Sequence, residues 1–303
     1  MAKILITDRI HEDGIKMLRE VGEVDVKTGL TTKQLLEEIK GYDVLVVRSA
    51  TKVTKDVIEA GRKLKIIARA GAGLDNIDVQ AASARGIELI NAPEAPTIAV
   101  AELVIGLMLS WDRQLPRADA SMKQGRWEKT QLMGSELRGK TLGIIGTGRI
   151  GRAVGYRAKA FLMNLLAFDI GRSAEFAERT GARYVDLDTL LRESDFVTLH
   201  VPLLPETHHM IGRRELELMK PTAVLINTSR GEVVDEAALA DALRKGKIAG
   251  ACLDVYEREP PRDSPLLKLP NVILTPHIGA STIEAQREAA VLVAEKIKVA
   301  LSK

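Results

Sequence analysis

Three side chains far apart in this sequence could together do one piece of chemistry. Arg230 follows the apolar run "AVLINTS", Glu259 lies in "LDVYEREPP", and His277 follows "NVILTP". A guanidinium can hold and polarise a carboxylate and an adjacent carbonyl. An imidazole can move a proton near neutral pH, and a carboxylate beside it can set its pKa and orientation. That set suits oxidation of a hydroxyl or reduction of a carbonyl, with a redox cofactor taking the electrons. The sequence also carries a place for the cofactor. "GIIGTGRIG" spaces Gly146, Gly148 and Gly151 as G-x-G-x-x-G, after an apolar run and before a helix-like stretch, and the next strand-like run ends in Asp169. In that context Gly146 permits a tight turn and Gly148 lets the backbone approach a pyrophosphate. Gly151 lets the helix pack close to the strand, and the helix N-terminus, with Arg149 and Ile150, faces the phosphates. Asp169 stands where a carboxylate bonds the ribose hydroxyls, which favours NAD; Arg172 would partly offset its repulsion of a 2′-phosphate.

The elements that must position these residues follow from the apolar pattern. The runs "KILITD", "DVLVVRS", "LKIIARAG" and "IELINAP" show little alternation, as expected of parallel strands buried on both faces; "EVDVKT" lies between the first two as a further strand, and helix-like segments separate all five. A second series starts at "KTLGIIG" and runs through "NLLAFD", "RYVDL", "DFVTLHV", "AVLINTS" and "IAGACLDV" to "NVILTPH". The fold class expected is α/β, with two doubly wound parallel-sheet domains. A Rossmann-type cofactor domain (97–277) is inserted in a flavodoxin-like domain (1–96 and 278–303), which the last long helix completes. Arg230, Glu259 and His277 then all fall at carboxyl ends of parallel strands, where ligands bind in such sheets. The helix after His277 is expected to start near Ser281, with Glu284 closing a capping box. A cleft between the domains is expected, with hinges near 93–96 and 278–280.

Of the five histidines, His11 reads as a helix start, His200 as an edge of the cofactor site, and His208 and His209 as surface residues. In the first domain, backbone N–H groups of Gly71, Ala72 and Gly73 can cradle a carboxylate. Arg48, with Ser49 beside it, and Arg69 end neighbouring strands; two guanidiniums on one rim suit a phosphate. Lys129 is a third candidate cation. No set of residues predicts a metal.

Composition narrows the remaining classes. The net charge of +3 is spread over 303 residues with both signs interleaved, so no nucleic-acid surface is expected. The single cysteine, Cys252, excludes a disulfide framework and fits a reducing, cytoplasmic setting. The most apolar stretch, Thr97–Trp111, contains Glu102 and is shorter than the ~20 residues of a membrane span, so it reads as a buried helix. The N-terminus runs straight into a strand, without the pattern of a signal peptide.

"GIIGTGRIG…AFD", "HVPLLPET", "LINTSRGEVVDEAAL", "LDVYEREPP" and "TPHIGAST" resemble the D-isomer-specific 2-hydroxyacid dehydrogenases over nearly the whole chain. That resemblance implies NAD as cofactor, with His277 as acid/base, Glu259 as its partner, and Arg230 on the substrate's carboxylate and keto oxygen. It places Asp254 near the nicotinamide carboxamide, and His200, Pro202, Thr207, Thr228, Ser229, His277 and Gly279 along the cofactor. "VVRSATKVTKDVIEA", "ARAGAGLDNID" and "ASMKQGRWEK" are similar to members acting on a phosphorylated hydroxy acid. It also implies a homodimer or homotetramer, with helix and arm 97–139 at the interface and Lys129 reaching across it. Many relatives carry a further C-terminal regulatory domain; this sequence stops after "KVALSK", so no feedback through such a domain is expected. Two rivals are a sister enzyme reducing glyoxylate or hydroxypyruvate, and an NAD-sensing, corepressor-like binding protein.

Overall fold

The computed structural model describes residues 1–302. The chain divides into two compact units, Met1–Ala99 with Ala280–Lys303, and Val100–Gly279.

Unit 1 holds five parallel strands, β1 (Ala2–Ile6), β2 (Gly22–Val26), β3 (Val44–Val47), β4 (Ile66–Arg69) and β5 (Glu88–Asn91), in the order β2-β1-β3-β4-β5. This is the flavodoxin-like order. The central strands are runs of Val, Ile, Leu and Ala because helices cover both faces, leaving no wet side for polar alternation. Helix α1 (Glu12–Arg19) is capped by His11, whose Nδ1 accepts from Asp13 N at 3.2 Å. Helix α2 (Thr32–Glu38) opens on the reciprocal Thr31–Gln34 capping box, followed by α3 (Lys55–Ala60) and α4 (Val79–Ala84).

In unit 2, α5 (Thr97–Asp112) enters from unit 1 and is followed by α6 (Leu115–Lys123). The sheet then builds from β6 (Thr141–Ile145), β7 (Asn164–Phe168), β8 (Arg183–Tyr184), β9 (Phe196–Leu199), β10 (Val224–Asn227), β11 (Gly250–Leu253) and β12 (Val272–Leu274). Its order, β12-β11-β10-β9-β6-β7-β8, reverses direction at β6, with every pairing parallel. That is the doubly wound dinucleotide-binding arrangement with one extra edge strand. Helices α7 (Arg149–Ala160), α8 (Ala174–Thr180), α9 (Leu187–Glu193), α10 (Arg213–Leu218) and α11 (Glu236–Arg244) lie between the strands. Among the described residues, no helix is long and apolar enough to cross a membrane.

The last helix, α12 (Ile283–Leu301), returns to unit 1. Its Ala289, Val293, Ala294 and Ile297 share a core with Ile4, Ile6, Ile15, Leu18, Val44 and Ile66. A Cβ at Gly14 would stand 2.7 Å from the Ala290 carbonyl oxygen, so glycine there lets α1 and α12 approach closely. The expected Ser281–Glu284 capping box does not form. Thr282 is the cap, its side chain accepting from Ala285 N at 3.1 Å, one residue further along.

Candidate functional site

In unit 2, three loops leave β10, β11 and β12 on the same edge of the sheet, and all three are tied to one another. After β10, buried Asn227 organises the turn that presents Arg230. Its Oδ1 accepts from Ser229 N (3.0 Å) and Ser229 Oγ (2.9 Å), and its Nδ2 donates to the Arg230 carbonyl (2.8 Å). Gly231 follows, where an added Cβ would overlap the Tyr256 carbonyl and the Glu257 nitrogen. The Arg230 loop and the Glu259 loop therefore meet backbone to backbone.

After β11, Asp254 is almost fully buried, and its carboxylate clamps the loop after β12. It accepts from Thr275 Oγ1 (2.6 Å), Ile278 N (2.8 Å) and Gly279 N (2.8 Å). Tyr256 makes a second tie, donating from its hydroxyl to the Thr275 carbonyl at 2.9 Å. Burial, reinforced by the nearby Asp254, pushes the Tyr256 hydroxyl up to about 12, so it stays a donor.

Between these ties His277 sits with φ of 53°, in the left-handed region that few non-glycine residues adopt. The clamp from Asp254 on the next two N–H groups holds that conformation. His277 Nδ1 lies 2.7 Å from Glu259 Oε2, and Glu259 Oε1 accepts from Tyr256 N at 3.2 Å. The hydrogen bond to Glu259 holds the imidazole's pKa above its ordinary value, against desolvation and the charge of Arg230, which lower it. Burial pushes the Glu259 carboxyl up, but the bond and charge of His277, with help from Arg230, leave it below its ordinary value. Both partners are thus biased toward their charged forms. With Nδ1 engaged, Nε2 is the nitrogen left for a substrate. His277 is half exposed, so a ligand can reach it. Arg230 bonds its own neighbour, Nη1 to Ser229 O at 2.7 Å, and acts electrostatically on both His277 and Glu259.

The glycine fingerprint occupies the β6–α7 turn. Gly146 has φ of 93°, and a Cβ there would come 2.7 Å from the His200 carbonyl oxygen. A Cβ on Gly151 would strike the Gly146 carbonyl, whereas one on Gly148, the N-cap of α7, would meet only open space. The residues fit a dinucleotide: a tight turn, a bare helix N-terminus with Arg149 and Ile150 as its first residues, and room before it. Asp169, at the end of β7, is braced by Thr147 Oγ1 (3.1 Å) and Gly171 N (2.9 Å). Tyr184 supports this corner from β8, its hydroxyl 3.0 Å from Thr147 Oγ1 and accepting from Ser173 N at 3.1 Å. Thr228 Oγ1 is buried with no hydrogen-bond partner, a polar atom that a bound ligand would satisfy. The His200 ring pairs with Thr198 Oγ1 at 2.9 Å, and burial pushes its pKa down to about 3, so it is neutral. Thr207 turns its hydroxyl inward, donating to the Pro202 carbonyl at 2.6 Å, and thereby shapes the loop after β9.

The unit 1 residues need two corrections. Gly71 does not offer its N–H to a ligand, because it donates to the Arg69 carbonyl at 2.8 Å; only Ala72 and Gly73 have N–H groups without an acceptor among the described residues. Arg69 is bound into the scaffold of its own unit. Its Nε donates to the Arg48 carbonyl (3.1 Å), its Nη1 to the Gly73 carbonyl, and Asp75 lies 4.0 Å away. The Arg48 side chain has no ion-pair partner among the described residues, and Ser49 beside it is exposed. Lys129, in a short 3₁₀ turn, is exposed.

Residues 105–279 match the family described as "D-isomer specific 2-hydroxyacid dehydrogenase, NAD binding domain". The chain belongs to that family. Its second unit is the family's NAD-binding domain, and NAD is the cofactor. The chain is 57% identical over 302 residues to a D-3-phosphoglycerate dehydrogenase of Methanocaldococcus jannaschii, covering 99% of this chain and 58% of that one. It thus spans little more than half the length of that relative. A hydroxypyruvate reductase of Thermotoga maritima is 49% identical, with 97% of each chain covered. Among solved structures, a glyoxylate reductase from Paecilomyes thermophila superposes with a TM-score of 0.90 at 35% identity, covering 100% of this chain and 96% of that one.

Asn227, Tyr256, Thr275, Thr147 and Tyr184 are the structural contributors that a motif reading passes over. The one signal for Tyr256 was the scarcity of aromatics, which makes a tyrosine between Asp254 and Glu259 conspicuous.

Proposed function

We propose that this chain oxidises D-3-phosphoglycerate to 3-phosphohydroxypyruvate with NAD, the first step of phosphorylated serine synthesis. Bound NAD supplies the acceptor for the hydride from C2. Arg230 holds the substrate carboxylate and the C2 oxygen. His277 Nε2 takes the hydroxyl proton while Nδ1 keeps its bond to Glu259, whose charge stabilises the imidazolium that forms. Asp254 holds the backbone that carries His277. Arg48 and Ser49 receive the phosphoryl group, and Ala72 and Gly73 offer N–H groups to the carboxylate.

The observation that carries this reading is the 2.7 Å His277–Glu259 pair, with Glu259 on a loop that the Arg230 loop meets backbone to backbone at Gly231. Replacing His277 by Asn tests it. Removing a general acid/base slows turnover about 10²–10⁴-fold, while NADH binding, followed by fluorescence, stays as in the parent. Turnover near the parental rate would take His277 out of the mechanism.

A second reading, reduction of hydroxypyruvate or glyoxylate, uses the same machinery. It is favoured by the full-length match to the Thermotoga maritima hydroxypyruvate reductase. Comparing kcat/KM for 3-phosphoglycerate with NAD, and for glyoxylate and hydroxypyruvate with NADH, separates the two. A preference for the unphosphorylated substrates replaces the first reading by the second. For assembly we propose a homodimer or homotetramer that uses the arm 97–139, on which Met122, Trp127 and Met133 are exposed; sedimentation as a monomer would refute it.

A further inference from the structure

The four residues leaving β3, Arg48–Thr51, are held more tightly than an ordinary surface loop. Buried Asp8, just past β1, accepts from Arg48 N (2.7 Å), Thr51 N (3.1 Å) and Thr51 Oγ1 (2.7 Å). Asn76, in the loop before α4, donates through Nδ2 to the carbonyls of Arg48 (2.9 Å) and Thr51 (2.7 Å). Arg69 adds a donor to the Arg48 carbonyl at 3.1 Å. The N–H and C=O groups at both ends of the loop are thus all engaged, by side chains from three other segments. Only the tip, Ser49 and Ala50, is exposed. The Oδ1 of Asn76 is buried without a partner, so the amide's place in the fold is set by its two donor bonds to this loop.

A loop fixed at both ends presents its side chains with less ordering to complete on binding. The Arg48 side chain keeps its own rotamers, but the Cα–Cβ direction from which it reaches is set before a ligand arrives.

We propose that Asp8 and Asn76 are positioning residues that set the preference for a phosphorylated over an unphosphorylated 2-hydroxy acid. They do so by fixing the backbone from which Arg48 and Ser49 reach the phosphoryl group. This rests on the assignment of Arg48 to the phosphate made above. A merely structural role for the same bonds would weaken turnover of all substrates alike, whereas positioning acts on the phosphorylated one.

The test compares kcat/KM for 3-phosphoglycerate and for D-glycerate, both with NAD. It is run on the parent protein, Arg48→Ala, Asn76→Ala, Asp8→Asn and the Asn76→Ala/Arg48→Ala double variant, with NADH fluorescence reporting on the cofactor site. Asn76→Ala is expected to lower the phosphorylated-to-unphosphorylated ratio by about tenfold or more, through KM, as a misplaced binding group does. The double variant should fall no lower than Arg48→Ala alone, because both changes remove one interaction. Asp8→Asn preserves shape but removes the charge that strengthens the bonds from Arg48 N and Thr51 N, so it should move the ratio the same way by a smaller factor, which keeps the test decisive if Asn76→Ala does not fold. If Arg48→Ala lowers the ratio but Asn76→Ala and Asp8→Asn leave it unchanged, or if the double variant is fully additive, the inference is overturned and the phosphate assignment stands. If Arg48→Ala leaves the ratio unchanged, the phosphate assignment fails and this inference with it.

Discussion

Replacing Gly231 by alanine probes how rigidly the catalytic loops are braced. The position does not carry a positive φ, so the backbone itself tolerates a side chain there. The obstacle is the Tyr256 carbonyl and the Glu257 nitrogen, main-chain atoms that no rotamer change can move. They cannot retreat easily either. Tyr256 is anchored to the Thr275 carbonyl at 2.9 Å, and Glu257 N donates to Glu236 Oε1 at 2.7 Å. Overpacking of this kind costs about 1–3 kcal/mol. For a domain of this size each kcal/mol lowers the melting temperature by about 2–4 °C, so a drop of about 2–12 °C is expected. Relief by displacing the 254–259 loop would draw Glu259 away from His277, and a misplacement of about 1 Å can slow turnover ~10²-fold. Thermal melting and the NADH absorbance rate read the two effects. Gly41→Ala is the control, since a Cβ there meets nothing within 4 Å; it should stay within about 0.5 kcal/mol of the parent. A Gly231→Ala protein with parental melting and turnover would refute the idea that these loops meet in fixed register.

Glu259→Gln should move the pH midpoint of substrate oxidation downward, since the carboxylate holds the His277 pKa up and oxidation needs the neutral imidazole; an unmoved midpoint contradicts the pairing. The pair's contribution to stability is full between the ordinary values of 4.5 for Glu259 and 6.5 for His277. It is lost as pH falls through the lowered value of Glu259 or rises through the raised value of His277. The melting difference between parent and Glu259→Gln should therefore peak in that window, and a flat difference would argue against it. Asp169→Ala should raise KM for NAD and narrow the preference over NADP; unchanged selectivity would mean Asp169 does not read the ribose. Asp254→Ala removes charge-assisted bonds worth about 1.5–3 kcal/mol each. It should depress both melting temperature and turnover, and parental values in both would deny the clamp its role.

The strands were legible because parallel strands covered on both faces are short apolar runs, and few other segments of this chain are. Gly146, Gly148 and Gly151 were legible because their spacing falls between an apolar strand and a helix; in the fold Gly146 and Gly151 leave no room for a Cβ, and Gly148 borders open space. The strand-end placement of Arg230, Glu259 and His277 followed from the α/β alternation alone. Loop geometry was not legible. Nothing in "ARAGAG" says that the Gly71 N–H turns back to Arg69, or that Arg69 spends its donors on main-chain carbonyls. The start of α12 slipped by one because Ser281 and Thr282 are equally good caps, and only the folded backbone chooses between them. Asn227 looks like an ordinary residue until the turn that presents Arg230 is seen to hang on its side chain.

The return of α12 to unit 1 has a consequence for how the protein is made. The strands β1–β5 leave the ribosome first, yet the helix that shares their core comes from the far end of the chain, after all of Val100–Gly279. At translation rates of about 5–20 residues per second, the nascent sheet waits on the order of 10–40 s for that cover. The inserted unit, contiguous in sequence, can complete its own core within that interval. The half of the molecule that starts first is therefore the half that finishes last, and it is the one that nascent-chain chaperones would need to shield.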